Sequence, residues 1–338
     1  MKAYQLKPGH KYATLALAER ERPALTGRQV RVRVHAVSLN FRDLMVADGN
    51  YLGTHDTPLV PCSDGAGEVI ELGPEVTRFR LGDRVAASFF PNWIDGVATG
   101  QKTGAALGGS VDGMLAEEVV ASEDGLVAIP AHLSYAEAAT QPCAGVTAWN
   151  ALFATGGLKA GDSVLLLGTG GVSIWGLQIA QAAGLRSIIT SSSDEKLERA
   201  RRLGATATIN YRHTPEWQDE VMRLTGGQGV DLVLEVGGQG TLARSITSAS
   251  MGGRIAVIGG VSGFGGEVNP FALIGGSKHL SGIHVGSRTM FENLNRLVAA
   301  REIRPVVDAT FPFAQAKEAY RHLESGSHFG KVVIDVTA

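Results

Sequence analysis

Residues 164–184 read VLLLGTGGVSIWGLQIAQAAG, and no other stretch limits the possible folds of this chain so sharply. An apolar run over 164–167 meets Gly168, Thr169, Gly170, Gly171, Val172 and Ser173. Ile174, Leu177, Ile179 and Ala180 then keep helical spacing up to Gly184. A buried strand, a glycine turn and a helix N-terminus together make a site for a pyrophosphate. Gly168 permits the tight turn, Gly170 lets the backbone approach the phosphates, and the free N–H groups at the positive end of the helix face the charge. Glycines after a strand can also serve a bare turn. Here the strand-like run 187–190 follows the helix directly, as a βαβ unit requires, so a dinucleotide is the expected ligand.

Residues 162–305 continue in the same texture. Strand-like runs at 164–167, 187–190, 207–209, 232–236 and 254–258 are separated by helical patterns, which predicts an α/β, doubly wound parallel sheet. A short strand over 280–285 and a helix over 290–301 complete it. Residues 1–125 instead alternate apolar and polar positions in short bursts: 30–34 with its arginines outward, 67–72, 84–87 and 117–121. Turns at Pro8-Gly9, Gly73-Pro74 and Gly82-Asp83 punctuate them, so this part reads as an antiparallel, barrel-like β domain. A helical stretch over 135–155 bridges the two. The tail holds a helix over 314–323 and a strand over 331–334, expected to return to the first domain and close its sheet. The domains are therefore expected at 1–145, completed by 306–338, and at 146–305. In such arrangements the site lies in the cleft between domains, at the strands' carboxyl ends.

At 338 residues the chain can bury two separate cores. With 44% hydrophobic and 19% charged residues and a formal charge of -2, it offers no field for nucleic acid or an anionic membrane. The N-terminal MKAYQLKPGH lacks the apolar run of a signal peptide, and no uninterrupted apolar span could cross a bilayer. The two cysteines, Cys62 and Cys143, are too few to staple a fold of this size. A cytoplasmic protein is the expectation.

An Asp or Glu at the tip of the second strand binds the ribose 2′-hydroxyl in units that prefer NAD. This strand ends in Thr190, Ser191, Ser192 and Ser193, with Asp194 and Glu195 placed as a helix cap and first turn. Lys196 lies one turn in, and Tyr211 and Arg212 follow the third strand. Hydroxyls with a cation suit a 2′-phosphate, so the pattern favours NADPH over NADH.

The whole chain resembles the medium-chain dehydrogenase/reductase superfamily, in its alcohol dehydrogenase and quinone oxidoreductase group. The resemblance rests on Gly65-Ala66-Gly67-Glu68-Val69, Leu81-Gly82-Asp83-Arg84-Val85, Cys143-Ala144-Gly145-Val146-Thr147-Ala148-Trp149, the glycine loop, and His328-Phe329-Gly330-Lys331-Val332-Val333. It implies a GroES-like, β-rich catalytic domain plus a Rossmann domain, and a dimer formed through the Rossmann sheet edge. Alcohol dehydrogenases of this group hold a catalytic zinc on a Cys, a His and a second Cys. Where their first Cys opens a Cys-x-x-Asp, this chain has Asn40-Phe41-Arg42-Asp43. Where their Gly-His-Glu stands, it has Cys62-Ser63-Asp64, so only Cys143 remains of the three. Residues 90–109 contain no cysteine for a structural zinc lobe. The chain thus resembles the zinc-independent, quinone oxidoreductase-like members, with no metal expected. A residual site on Cys62, Asp64 and Cys143 is the alternative.

Without zinc a simple carbonyl loses its Lewis acid, whereas a conjugated enone or quinone needs only hydrogen-bond donors and a proton. Candidate catalytic residues are Asn40, Tyr51, Asp64 and Thr147. Asn40 is a candidate for the carbonyl, the nicotinamide ribose or a turn. Tyr51 resembles a cleft tyrosine of quinone oxidoreductases and is a candidate proton donor. Thr147 resembles the family threonine that contacts the nicotinamide. Asp43 and Asp64 either orient a water or pair with Arg42 or Arg84. The cofactor would also touch Val236 and Gly237, Gly259, Gly260 and Val261, and Val285, Gly286 and Ser287. Lys331 stands where the family places a basic residue on the pyrophosphate. Residues 89–93 and 264–271, with Tyr51, are expected to line the cleft for a small hydrophobic substrate. The expected activity is NADPH-dependent reduction of quinones or α,β-unsaturated carbonyls by hydride transfer. An NAD(P)-dependent alcohol or aldehyde dehydrogenase and a non-catalytic NADPH-binding relative are the alternatives.

Overall fold

The alternating segment around Val30 becomes one long strand, Gln29–Leu39, in the computed structural model, which describes residues 1–51, 57–265 and 268–338. That strand pairs antiparallel with Asp64–Leu72 and with Glu118–Ser122. Its far end pairs with the C-terminal strand Lys331–Asp335, placing Val332 opposite Leu39 and Ile334 opposite Val37. The tail therefore does close the first sheet, which has seven strands, six along its main path and Glu118–Ser122 paired beside Gln29–Leu39. Val30, Val32, Val34, Val69, Val85, Leu126, Val332 and Ile334 bury their side chains in its core. Each such side chain contributes roughly 1.5–3 kcal/mol when fully removed from water. Of the arginines expected to face outward, Arg33 does. Arg31 does not: it is 2% exposed, with Nε 2.7 Å from Glu71 and Nη2 donating to the Pro23 carbonyl at 2.6 Å. Its alternation is correct, but loop residues cover it.

The chain divides into residues 1–146 with 286–338, and residues 147–285. Residues 286–305 thus join the first unit rather than the second. The helix Arg288–Ala300 is anchored there, because Asn295 Nδ2 donates to Ala128 and its Oδ1 accepts from Gln141 Nε2, while Arg288 pairs with Asp124.

In the second unit all six strands are parallel, in the spatial order Ala207–Asn210, Arg186–Ser191, Ser163–Leu166, Val230–Glu235, Ala249–Val257, His279–Gly282. Val164, Leu165 and Leu166 are fully buried, as a strand covered on both faces requires. The order reverses beside Ser163–Leu166, and in doubly wound sheets ligands bind at the carboxyl ends of the strands at such a switch point.

Three expected elements differ. The strand expected over 254–258 is longer, Ala249–Val257. The strand expected over 280–285 stops at Gly282, and Val285 adopts φ 47, a conformation no strand continues through. The helical stretch over 135–155 is broken into Tyr135–Ala138, a wide turn at Gln141–Gly145, Val146–Trp149 and a second wide turn at Asn150–Ala154. Pro142 supplies no N–H, and the N–H of Cys143 goes to a side chain, the Asp64 carboxylate, at 3.1 Å. Among the described residues no helix is long and apolar enough to cross a membrane.

Candidate active site

The strand Ser163–Leu166 leads into the glycine loop and the helix Gly171–Ala183. Gly168 has φ 71, which a side chain would strain, and a Cβ at Gly168 or Gly170 would meet nothing within 4 Å. The loop backbone is therefore uncovered. Gly170 caps the helix without a side-chain bond, so its first-turn N–H groups carry no side-chain cap. This cradle fits a pyrophosphate. The Ser173 hydroxyl takes no part in it, because it donates to the Leu167 carbonyl at 2.6 Å and the residue is 1% exposed. Thr169 is likewise buried, and Gly171 and Val172 are half-buried. The Gly168 N–H is held by Thr190 Oγ1 at 3.2 Å, which ties the loop to the second strand.

At that strand's tip Ser191 is 4% exposed and its hydroxyl accepts the Ser193 N–H. Ser193 caps the next helix through the Lys196 N–H, and Ser192 is half-buried. Asp194 accepts from Asn210 Nδ2 at 2.7 Å, so its carboxylate is engaged between the second and third strands. Tyr211 is exposed, with its N–H on the Ser191 carbonyl.

The loops after the fourth and fifth strands hold each other. Ser262 donates its N–H and hydroxyl to the Gly237 carbonyl, both at 2.7 Å, and the Val261 N–H reaches the Val236 carbonyl at 3.2 Å. A Cβ on Gly237 would lie 2.3 Å from Thr241 Oγ1 and one on Gly260 2.6 Å from the Phe264 ring, so packing alone demands glycine there. Gly259 leaves 3.1 Å to the Val236 carbonyl. The sequence reading missed Glu235, which organises this region. It is fully buried and accepts from the N–H groups of Gly237 at 2.7 Å and Gly238 at 2.9 Å and from Thr241 Oγ1 at 2.6 Å, and also from Ser245 Oγ. An acid at a strand end before paired glycines was the available signal. Val285 ends the unit, its carbonyl held by Asn150 Nδ2 at 2.9 Å. Thr147 lies 2% exposed on the turn Val146–Trp149.

In the first unit Asn40, Asp64 and Lys331 come together, and Tyr51 is linked to them through Arg42 and Asp43. Asn40 precedes the helix Phe41–Ala47 and its N–H donates to Asp43 Oδ2 at 2.8 Å. Lys331 is 3% exposed, and its Nζ donates to the Leu39 carbonyl and to Asn40 Oδ1. Asp64 is fully buried and accepts from Ser63 Oγ at 2.7 Å and from the Cys143 N–H at 3.1 Å. Burial raises its carboxyl above the ordinary range, opposed by Lys331, Asn40, Ser63 and Cys143. The Asp43 carboxyl is pushed up to about 6, chiefly by burial and against the Arg42 charge.

Arg42 runs under Tyr51, with its guanidinium carbon 4.5 Å from that ring centre and 4.7 Å from that of Phe89. Nη1 donates to the Leu107 carbonyl at 2.8 Å, while Nε and Nη2 have no partner among the described residues. Burial raises the Tyr51 phenol, and Arg42 lowers it. Of the alternative pairings expected, Asp43 meets Arg42 at 3.4 Å, whereas Arg84 serves the carbonyls of Ala131 and Leu133.

Other expectations meet corrections. Ser287 is 1% exposed and caps its own helix by accepting the Met290 N–H. A Cβ on Gly286 would strike Val146 Cγ1 at 2.6 Å, so this glycine serves close packing. Phe89, Phe90 and Trp93 are 1–3% exposed and belong to the interior of the first unit. Phe264 and Phe271 are exposed, while Gly266 and Glu267 of that expected lining lie outside the described residues. Cys62 is fully buried with Sγ 3.3 Å from Tyr320 Oη, and burial raises its thiol, as it does that of Cys143. Among the described residues no group of three or more His, Cys, Asp or Glu is arranged to hold a metal ion.

Comparisons with known proteins agree with this architecture. Residues 26–131 match the alcohol dehydrogenase GroES-like domain, and residues 171–300 match the family described as zinc-binding dehydrogenase. A zinc-type alcohol dehydrogenase-like protein of Schizosaccharomyces pombe is 46% identical over 314 residues, covering 91% of each chain. This chain belongs to the medium-chain dehydrogenase/reductase superfamily. It is an oxidoreductase of that superfamily with both alcohol dehydrogenase and quinone oxidoreductase relatives. A quinone oxidoreductase of Pseudomonas aeruginosa is 32% identical over 326 residues, covering 92% of this chain and 93% of its own. A solved Sinorhizobium meliloti structure, described as a candidate alcohol dehydrogenase, superposes with TM-score 0.91 at 43% identity over 99% of both chains.

Proposed function

We propose that this protein is an NADPH-dependent reductase of quinones or α,β-unsaturated carbonyl compounds that transfers hydride without zinc. The carrying observation is what occupies the positions of the family's zinc ligands. Asn40 binds the Lys331 ammonium, and Ser63 donates its hydroxyl to Asp64. These side chains satisfy one another with hydrogen bonds and a fixed cation, and none offers a soft or imidazole ligand beside Cys143.

The glycine loop 168–173 and the start of its helix would hold the pyrophosphate. The serines at 191–193, Lys196 and Tyr211 would face the adenosine ribose phosphate, with Thr147 and Val285 toward the nicotinamide. Support for NADPH is the acid-free tip of the second strand together with the engagement of Asp194 by Asn210. A mycobacterial relative, 25% identical, was solved with NADPH; another relative, 34% identical, is described as an NAD-dependent alcohol dehydrogenase. The bound nicotinamide supplies a hydride, and the protein supplies orientation and dipoles. A developing enolate or phenolate needs a donor and then a proton. Tyr51 would supply the proton, with Arg42 beneath its ring favouring the phenolate it would leave against the larger, opposing effect of burial. A dimer fits the edge strand His279–Gly282 with exposed Leu280 and the helix Pro270–Ile274 with exposed Phe271 and Ile274.

The test is steady-state oxidation of NADPH and NADH by the purified protein with a panel of enones and quinones, together with elemental analysis. Turnover with NADPH in protein lacking zinc is the expected result. Stoichiometric zinc lost together with alcohol oxidation would point instead to the alcohol dehydrogenase reading. Tight NADPH binding with no turnover would leave a non-catalytic binding protein.

A further inference from the structure

Lys331 is almost wholly buried, and its ammonium is committed within the first unit to the Leu39 carbonyl and Asn40 Oδ1. An ammonium can only donate, so its partner on Asn40 must be the amide oxygen, and the amide cannot flip. Nδ2 is thereby turned to the other side, on a residue 8% exposed, and has no hydrogen-bond partner among the described residues. The Asp64 carboxylate lies close enough for Asn40 to favour its charged form, without completing a bond of good geometry. The NH2 group carries two hydrogens, so one remains for a ligand. Buried donors in native proteins almost always have partners, and an orphan beside a fixed cation asks what partner is missing. We propose that Lys331 is a positioning residue that orients Asn40, and that Asn40 Nδ2 donates to the acceptor's carbonyl oxygen.

The proposal rests on the reductase reading. In that reaction a bound NADPH would supply the hydride, ending as NADP+, and the hydride would bond to the conjugated carbon of the acceptor. The displaced electron pair moves to the acceptor's oxygen, giving an enolate or phenolate, which one proton from Tyr51 or solvent then neutralises. Asn40 keeps both its hydrogens. Its contribution is a donor held ready where the negative charge appears.

Asn40→Asp and Lys331→Met separate this role from a contact between Lys331 and the cofactor pyrophosphate. Asn40→Asp keeps an oxygen for Lys331 while it removes the donor and adds a negative charge beside Asp64. NADPH dissociation constants are read by nicotinamide fluorescence, and kcat with the best acceptor of the panel. We expect both variants to leave NADPH affinity within about twofold and to lower kcat about 10²–10³-fold, the range for losing one preorganised donor. A weakened NADPH affinity in Lys331→Met would overturn the proposal in favour of the pyrophosphate contact. Unchanged kcat in Asn40→Asp would overturn it whatever Lys331→Met does, including a failure of that variant to fold. If the wild-type protein turns over no acceptor, the reductase reading itself fails, while the affinity measurement still shows whether Lys331 touches the cofactor.

Discussion

Asp43 is wholly buried, takes the Asn40 N–H, and has its carboxyl raised from 3.8 to about 6, burial being the largest cause. A carboxyl whose folded value is raised binds its proton more tightly when folded. Its contribution is therefore complete below about pH 4 and is lost as pH rises through about 6, with the unfolded chain releasing its proton first. A rise of that size corresponds to roughly 3 kcal/mol, so Asp43→Asn should flatten the change in unfolding free energy between pH 4 and 7 by about 2–3 kcal/mol relative to wild type. Urea unfolding at the two pH values measures it; an unaltered difference would contradict the assignment. Sequence placed Asp43 beside Arg42 but offered no way to see that both would be enclosed. Enclosure of Arg42 depends on Tyr51 nearby and on Phe89 and Leu107, which are distant in the chain.

At the scale of elements, the strand, glycine loop and helix of residues 163–183 form as expected, because each part is determined locally. An unbroken apolar run makes a strand covered on both faces, and Gly168 supplies the positive φ that turns the chain. Gly170 has ordinary extended backbone angles and open space around it, so Gly170→Val should cost at most about 1 kcal/mol of stability. The same side chain would occupy the approach to the backbone, and we expect the NADPH dissociation constant to rise at least about tenfold with Tm nearly unchanged. Isothermal calorimetry and thermal unfolding check the two halves. The segment 135–155 shows the opposite case. Its composition is helical, yet Asp64 captures the Cys143 N–H and the helix loosens into wide turns. A carboxylate 79 residues away in sequence is invisible to helical periodicity. Likewise Val285 is held at φ 47 with Asn150 on its carbonyl, where sequence alone extended a strand.

For the molecule as a whole, the chain divides into residues 1–146 with 286–338 and residues 147–285. If the sheet edge His279–Gly282 is the dimer contact, light scattering should give twice the chain mass, and Leu280→Lys should shift it toward the monomer. A wild-type monomer at micromolar concentration would refute the contact.

Residue order alone determined the cradle for a dinucleotide, the β-rich and α/β halves and the superfamily, since local pattern and short motifs carry them. It also exposed the missing zinc ligands, because an Asn and a Ser cannot be mistaken for a Cys and a His. Tertiary structure decided what replaces them. Lys331 joins Asn40 only because the C-terminal strand pairs with Gln29–Leu39, and folding also sets Ser63 on Asp64 and Arg42 beneath Tyr51. Hydrogen bonds and buried charges across nearly three hundred residues leave no periodic trace, and only the folded chain brings them within reach.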